Sequence, residues 1–368
     1  MHQIRLSPFP ALMALRVVIV AICASACLLA LAGDLEEADI AYARKDYSQA
    51  IALYRKAAAQ GEPIAQFKLG GMYTRSEGTP QNHREAVSWF TQSAAKGYAP
   101  AQNSLGVRYE KGQGVIQNST RAAVLYREAA EQRFGLAQVN LSDLYAKGMG
   151  VTNDIVLAHV WSSLATVNGE GRATRKRPAL ERAMTPLQLT EASTHLGTMF
   201  ARGRGVAQDV KRAARYFRTA ATQGYVVAQY ELAECYDKGS GETQDYKQAA
   251  AWYEKAAAQG HARAQASVAY MYETGQGVVQ DTKRAAHWNL QAALQGDAIA
   301  QYNLGAMRES GRGVAQDHVE ALKWLNIAEV NGSKQATDSR RLVESLMTPE
   351  QIAEAHKRAS DWMKKNAR

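Results

Sequence analysis

One residue pattern returns every 36 positions, and a chain built that way has few folds open to it. Asp46, Asn82, Asn118 and Asp154 are 36 apart, and so are Asp209, Asp245, Asp281 and Asp317. Four residues after each stands an alanine: Ala50, Ala86, Ala122, Ala158, Ala213, Ala249, Ala285 and Ala321. Seven after stand Leu53, Trp89, Leu125, Trp161, Tyr216, Trp252, Trp288 and Trp324. Fifteen after stands glycine in seven of the eight copies, Arg133 being the exception. Positions are counted from each Asp or Asn, so that this glycine is +15.

The physics of one copy is legible. Asp or Asn caps a helix, its side chain accepting the unpaired amide protons of the first turn. Four copies add Glu or Gln at the third helical position (Asp46/Gln49, Asn82/Glu85, Asp245/Gln248, Asp317/Glu320), which predicts capping boxes. Positions +4, +7, +8 and +11 fall on one helical stripe of alanine, aromatic, aromatic and alanine. Glycine at +15 supplies the left-handed residue that ends the helix. A second helix opens with Ala-Gln at 65–66, 101–102, 137–138, 228–229, 264–265 and 300–301. It continues with Leu or Val at +23 and Gly, Ser or Ala at +24, small enough for two helices to approach. A glycine-rich loop follows, as in Lys111-Gly112-Gln113-Gly114-Val115. Such a helical hairpin cannot bury its apolar face alone, so the copies must stack. The expected fold is all-α: a right-handed α/α solenoid of eight 36-residue helical hairpins.

A larger duplication overlies the small one. Shifted by 163 residues, the chain matches itself again: Asp154 with Asp317, Gly169 with Gly332, Met184 with Met347, Pro186 with Pro349 and Gln188 with Gln351. Each half is therefore four repeats plus an extra helical cap segment, whose last helix starts at Thr-Pro with proline at its first position. The expected boundaries are 33–185 for the first array with its insertion helix and 186–368 for the second with its C-terminal cap.

Residues 1–32 read as a signal peptide. Arg5 and Arg16 precede an apolar run from Val17 to Ala32 that closes with Ala30-Leu31-Ala32. The expected location is periplasmic or secreted after cleavage near Ala32, with an uncleaved membrane anchor as the alternative. The run is somewhat short for a span, which takes about 20 residues. Cleavage removes Cys23 and Cys27 and leaves Cys235 alone, without an intrachain disulfide partner. A lone cysteine reads as a small apolar filler, with a reactive or intermolecular thiol as the alternative.

The repeat resembles that of the Sel-one-like repeat (SLR) family, a relative of the tetratricopeptide repeats. The family unit is approximately a capped helix A-x-x-W-a-x-x-A-A-x-x-G followed by A-Q-x-x-L-G-x-x-Y-x-x-G-x-G-V. Residues 281–314 match it closely and depart at Arg308, where tyrosine is usual. The resemblance covers about residues 34 to 332. It implies a curved helical scaffold that binds other proteins, and it implies no reaction.

The residues suggest no other chemistry. There is no phosphate-binding loop, nucleophile elbow, HExxH, CxxC or calcium loop. The glycine-rich loops follow a helix rather than a strand and read as linkers. No nucleophile-plus-base set offers itself, and the histidines share no ligand spacing. His83 and His318 follow caps and read as solvent-facing, while the tryptophans at +7 read as inter-helix core. No catalytic residue, metal or small-molecule cofactor is expected. Cysteine-rich SLR proteins are linked to β-lactam chemistry, but they carry repeated cysteine pairs that this chain lacks.

The charge is uneven. Net charge is +9 over 368 residues. Eleven basic residues fall between 172 and 218: Arg172, Arg175, Lys176, Arg177, Arg182, Arg202, Arg204, Lys211, Arg212, Arg215 and Arg218. Only Glu181, Glu191 and Asp209 oppose them. This window is either a solvated helix face or a basic belt for an acidic partner, an anionic glycan or a lipid headgroup. Nucleic acid does not suit an exported protein.

If second helices line a concave groove, positions +22 and +25 face the partner: Lys68, Ser104, Val107, Asn140, Asp143, Glu231, Glu234, Ser267, Tyr270 and Asn303. The expectation is an exported, non-catalytic scaffold that binds protein partners in the bacterial envelope, in a regulatory or assembly role. The alternatives are a cell-wall or β-lactam-binding enzyme, and a polysaccharide-assembly factor that uses the belt.

Overall fold

The structure, a computed structural model, describes residues 33–366. The expected leader at 1–32 lies outside the described residues, as do residues 367 and 368. All regular structure among the described residues is helical. The fold is the expected all-α solenoid of helical hairpins. It forms two compact units, one comprising the residues up to Met184 together with Arg204–Val206, the other Thr185–Gly203 together with the residues from Ala207 on.

Unit 1 runs α1 (residues 33–43), α2 (Tyr47–Ala59), α3 (Pro63–Arg75), α4 (His83–Ala95), α5 (Ala99–Lys111), α6 (Ser119–Glu131), α7 (Gly135–Lys147), α8 (Ile155–Val167) and α9 (Gly171–Ala183). Unit 2 runs α10 (Pro186–Arg202), α11 (Val210–Thr222), α12 (Val226–Lys238), α13 (Tyr246–Ala258), α14 (Ala262–Thr274), α15 (Thr282–Leu294), α16 (Ala298–Ser310), α17 (His318–Val330), α18 (Lys334–Glu344) and α19 (Pro349–Asn366). Helices of even number up to α8, and of odd number from α11 to α17, are the first helices that open after each Asp or Asn.

Every one of those eight caps forms, with the side-chain oxygen accepting an amide proton of the first turn. The four expected capping boxes do not. The reciprocal bond needs a free N–H on the cap residue, and from Asn82 onward that N–H already donates to the carbonyl at +27 of the preceding second helix, as in Asn82 to Tyr73 and Asp281 to Tyr272. Complete boxes stand instead at Thr185/Gln188 and Thr348/Gln351, at the Thr-Pro starts, where no such carbonyl is offered.

The stripe is also divided differently from expectation. The residue driven inside in every copy is +8, as at Tyr54, Phe90, Tyr126, Phe217, Tyr253 and Leu325, whereas +7 is buried in only some copies. Of the tryptophans at +7, Trp161 and Trp324 are buried, while Trp89, Trp252 and Trp288 are half-buried. The +8 ring packs onto the small residue at +24 of the second helix before it. A Cβ added to Gly70 would meet the Phe90 ring at 2.6 Å, one on Gly106 the Tyr126 ring at 2.7 Å, and one on Gly197 the Phe217 ring at 2.6 Å. The closest pair is thus a second helix with the first helix that follows it. This is why α10, beginning as a cap at Thr-Pro, pairs with α11 as an ordinary second helix, and why α9 stands outside the pairing.

Two glutamine devices hold the stack together, and neither was expected. The Gln of Ala-Gln is buried, and its Nε2 donates to the carbonyl at +12 of its own copy: Gln138 to Ala130 at 2.9 Å, Gln265 to Ala257 at 3.2 Å, Gln301 to Ala293 at 3.0 Å. Its Oε1 accepts from the amide at +14 of the next copy: Gln259 to Gln229 and Gln295 to Gln265 at 2.8 Å, Asn168 to Gln138 and Asn331 to Gln301 at 2.9 Å. A second amide, at +35, caps the end of each second helix, as Gln117 does on the Glu110 carbonyl (2.8 Å) and Gln280 on that of Glu273 (2.7 Å).

Candidate functional site

The expected partner-binding residues lie on second helices, all of them half-buried except Tyr270, which is 56% exposed. In unit 1 they are tied to neighbours. Lys68 on α3 reaches Asp39 at 2.6 Å, and the same carboxylate oxygen accepts from the buried Tyr54 hydroxyl at 2.5 Å. Burial, and after it the bond to Asp39, hold the Tyr54 hydroxyl protonated and raise its pKa. Around Lys68 a hollow of about 190 Å3 is lined by Tyr42, Tyr54, Phe67, Gly71 and Arg75. Arg75 is turned to Glu77 (2.9 Å), which holds that carboxyl below the usual range. Asn140 on α7 donates to Asn103 at 2.9 Å. Asp143 is ion-paired with Lys176 of α9 at 2.5 Å. Two residues assigned to separate surfaces, Asp143 to the groove and Lys176 to the belt, therefore satisfy each other. Ser104 and Val107 on α5 complete this face.

In unit 2 the same positions turn acidic on α12. Glu234 on α12 accepts from the Tyr253 hydroxyl at 2.9 Å, from Tyr230 at 3.2 Å and from Lys238. Burial pushes its carboxyl up, but these donors outweigh burial and hold it below the ordinary range. Glu231, one turn away, has no ion-pair partner among the described residues, and burial followed by the Glu234 charge raises its pKa. Ser267 and Tyr270 on α14 and Asn303 on α16 continue the face.

The eleven basic residues divide between the units. Arg172, Arg175, Lys176, Arg177, Arg182 and Arg204 belong to unit 1, and Arg202, Lys211, Arg212, Arg215 and Arg218 to unit 2. Five are neutralised within their own unit: Arg172 by Glu170 (3.9 Å), Lys176 by Asp143, Arg177 by Glu181 (3.0 Å), Arg204 by Glu131 and Arg218 by Glu242 (2.7 Å). Arg212 lies over the Phe200 ring, 5.0 Å from its centroid. Arg175, Arg182, Arg202, Lys211 and Arg215 enter no ion pair among the described residues.

Other expectations resolve one by one. Cys235 is buried and its thiol is pushed up to about 12, first by burial and then by the Glu231 charge, so it is a packed filler and a poor nucleophile. His83 and His318 are half-buried rather than solvent-facing, and the His83 Nδ1 is enclosed without a partner. A serine-lysine spacing stands at Ser93-Ala94-Ala95-Lys96. Its hydroxyl is buried and donates to the Pro63 carbonyl at 2.7 Å, while Lys96 donates to that of Gly61, so neither group serves the other.

One loop departs from its copies. Gly114, Gly241, Gly277 and Gly313 lie against the backbone of the first helical residue of their own repeat, at His83, Val210, Tyr246 and Thr282. Gly205 does not. Its N–H donates to the Glu131 carbonyl (3.1 Å), and its carbonyl accepts from Gln138 Nε2 (2.6 Å) and Asn168 Nδ2 (2.9 Å). Val206 beside it is 2% exposed. Its sequence, Gly203-Arg204-Gly205-Val206, gives no sign of this, because it reads like every other loop.

A protein-family profile divides the chain in the same register. The Sel1 repeat profile matches residues 25–62, 63–98, 99–134, 135–166, 190–225, 226–261, 262–297 and 298–329. Each match pairs a second helix with the first helix after it, and α9, α18 and α19 fall outside. Two solved structures are similar over most of their length. One is a protective antigen of uropathogenic Escherichia coli strains displaying an SLR fold, 28% identical over 92% of each chain with a TM-score of 0.41. The other is a Sel1 repeat protein from Oxalobacter formigenes, 27% identical over 86% of this chain and 90% of that one, with a TM-score of 0.44. No curated protein matches the chain.

Proposed function

The chain belongs to the Sel1 repeat family, and from that membership we propose that it is an exported, non-catalytic scaffold holding protein partners together in the bacterial envelope. Sel1 repeats typically mediate protein–protein binding. The observation that carries the reading is a division of labour along each copy. Positions that pack, such as alanine at +4 in all eight copies and glutamine at +20 in six, recur in type, whereas +22 and +25 change from copy to copy. They change in character too: Lys68, Ser104, Val107, Asn140 and Asp143 in unit 1 against Glu231, Glu234, Ser267, Tyr270 and Asn303 in unit 2. Two such faces suit two different partner segments. Export is supported by the basic start, apolar run and small residues of 1–32.

Affinity capture from intact envelopes tests the reading. The full chain is expected to retain a partner that Tyr270→Ala with Glu231→Ala releases while Lys68→Ala with Ser104→Ala does not, or the reverse. Loss of nothing with either pair refutes it. Mass measurement of the chain recovered from envelopes gives a terminus at Gly33 if the leader is removed.

A second reading rests on the five unpaired cations. An acidic glycan would bind them with an affinity that falls as salt rises. Reversing Arg175 and Arg182, then Lys211 and Arg215, removes that slope if the reading holds.

A further inference from the structure

The second helices of unit 2 carry two rows that the repeat sets side by side. Positions +22 and +25 lie about one turn apart on the same side of each helix, so successive copies line them up across the stack. From α12 to α18 the +22 row reads Glu231, Ser267, Asn303 and Ser339, and the +25 row reads Glu234, Tyr270, Ala306 and Leu342. Helix α18 keeps the phase of the others, burying Ala336 at +19 and Val343 at +26 as α16 buries Ala300 and Met307. The +22 row is polar and half-buried throughout. The +25 row turns apolar after Glu234. Tyr270 and Leu342, 56% and 58% exposed, stand on either side of the half-buried Ala306.

The two ends of this face ask for opposite chemistry. At Ala306 the side chain is short between two large exposed neighbours, which leaves a saddle for an apolar group. Glu231, at the other end, is half-buried and enters no ion pair among the described residues. Lys238 is committed to Glu234. Arg202, Lys238 and Arg263 favour the Glu231 charge from a distance, yet burial and the charge of Glu234 outweigh them and raise its pKa. A cation set directly on Glu231 would stabilise its charged form. Unit 1 differs here, because its charged residue at +25, Asp143, is already neutralised by Lys176 of the same unit.

The rows run across the helices, so a segment that follows them is extended and crosses one copy after another. Successive second helices stack about 10 Å apart and an extended chain advances about 3.3 Å per residue, which gives about three residues per copy. Ala306 and Glu231 belong to copies two steps apart. We propose that this face of unit 2 docks an extended partner segment that seats a large apolar side chain over Ala306 and, about six residues away, sets a lysine or arginine on Glu231. Ser267 and Asn303 offer hydrogen bonds to the backbone between those two anchors. The proposal rests on the reading of the chain as a protein-binding scaffold and names the chemistry of what its second unit holds.

The test uses a fluorescent peptide, acetyl-Ser-Leu-Ser-Thr-Ser-Thr-Ser-Arg-Ser-amide, which has that spacing between leucine and arginine, titrated with the full chain. Saturable binding is expected, weakened at least about tenfold when the peptide's arginine becomes glutamate or its leucine becomes serine. Moving the arginine about three residues closer to the leucine weakens it by a similar factor. Glu231→Lys, with the fold checked by circular dichroism, transfers preference by about tenfold to the glutamate-containing peptide. Ala306→Glu weakens binding of the original peptide severalfold. No saturable binding up to about 1 mM, or binding indifferent to both the peptide's arginine and Ala306→Glu, overturns the proposal. Self-association of the chain that Ala306→Glu abolishes also overturns it, by assigning the face to a second copy. An envelope partner whose capture survives both Glu231→Lys and Ala306→Glu overturns it too, while leaving the scaffold reading in place.

Discussion

The two units are built from one text, and they differ in how completely each executes it. In unit 2 the glutamine clasp closes at every step, from Gln259 on Gln229 to Asn331 on Gln301. In unit 1 it opens at the first. The amide at +14 of the second copy is replaced by Lys96, which turns to the Gly61 carbonyl, and the Gln66 Oε1 is left buried without a donor. Gln102 is diverted to the Glu128 side chain at 3.1 Å. Unit 1 also holds Arg133 at φ of +69°, where the other copies have glycine. Unit 2 has its own lapse at Asn289. It occupies the +8 site wholly buried, with Nδ2 on the Met307 sulfur at 3.5 Å and Oδ1 without a partner. A repeat protein tolerates such lapses because each copy leans only on its neighbours.

The sharpest way to break the comparison is at +24. Gly106 in unit 1 lies under the Tyr126 ring, whereas Ala233 in unit 2 stands at the same place before Tyr253. Gly106→Val should cost about 3 kcal/mol, since even its Cβ collides with Tyr126, and Ala233→Val about 1–2 kcal/mol. Urea unfolding followed by circular dichroism measures both, and equal costs would refute the account of +24. Next comes the clasp. Gln229→Leu leaves Gln259 and the Ala221 carbonyl unmatched and should cost about 2 kcal/mol, whereas Gln66→Leu, already half unpaired, should cost about 1 kcal/mol.

Two substitutions should repair rather than break. Asn289→Leu removes a buried unpaired amide and matches Leu325, so it should raise stability by about 1–2 kcal/mol. Arg133→Gly relieves a left-handed arginine and should add about 1 kcal/mol, read as a shift in Tm. The smallest effect is one of pH. Burial, chiefly, lowers the pKa of His159 in unit 1, where it lies 3.2 Å from Glu181. The unfolded chain then binds a proton more readily than the folded one, so stability is full above about 6.5, the unfolded value, and declines as pH falls below it. His159→Gln should flatten that decline in unfolding curves taken between pH 7 and 5.

Much of this was legible beforehand, for a physical reason. Caps, glycine terminators and the alanine stripe act within one or two turns, so spacing alone reveals them. What lay hidden depends on a partner about 30 residues away. Whether +7 or +8 goes inside depends on which small residue faces it across the helix pair. The capping boxes failed because a distant carbonyl had already taken the proton. Ala-Gln announced the start of a helix but gave no hint that its amide joins one copy to the next. For the candidate face, spacing placed the residues on second helices, yet it could not see that Asp143 and Lys176 cancel. The Gly205 loop was the least visible, because its letters are ordinary and only its destination is not.

The clasp has a direction, and direction sets where such an array can grow. Each +20 glutamine offers an oxygen that only the following copy can fill, so a copy is incomplete until its successor folds onto it. Growth therefore proceeds from a recipient toward a donor, much as a zipper closes one way. In α9 and α18 the Ala-Gln pair is missing, with Ala173-Thr174 and Ala336-Thr337 in its place. Such a helix asks for no successor through this clasp; α10, with Ala192-Ser193 at the same place, lacks it too, and there the Phe217 ring on Gly197 joins the next helix instead.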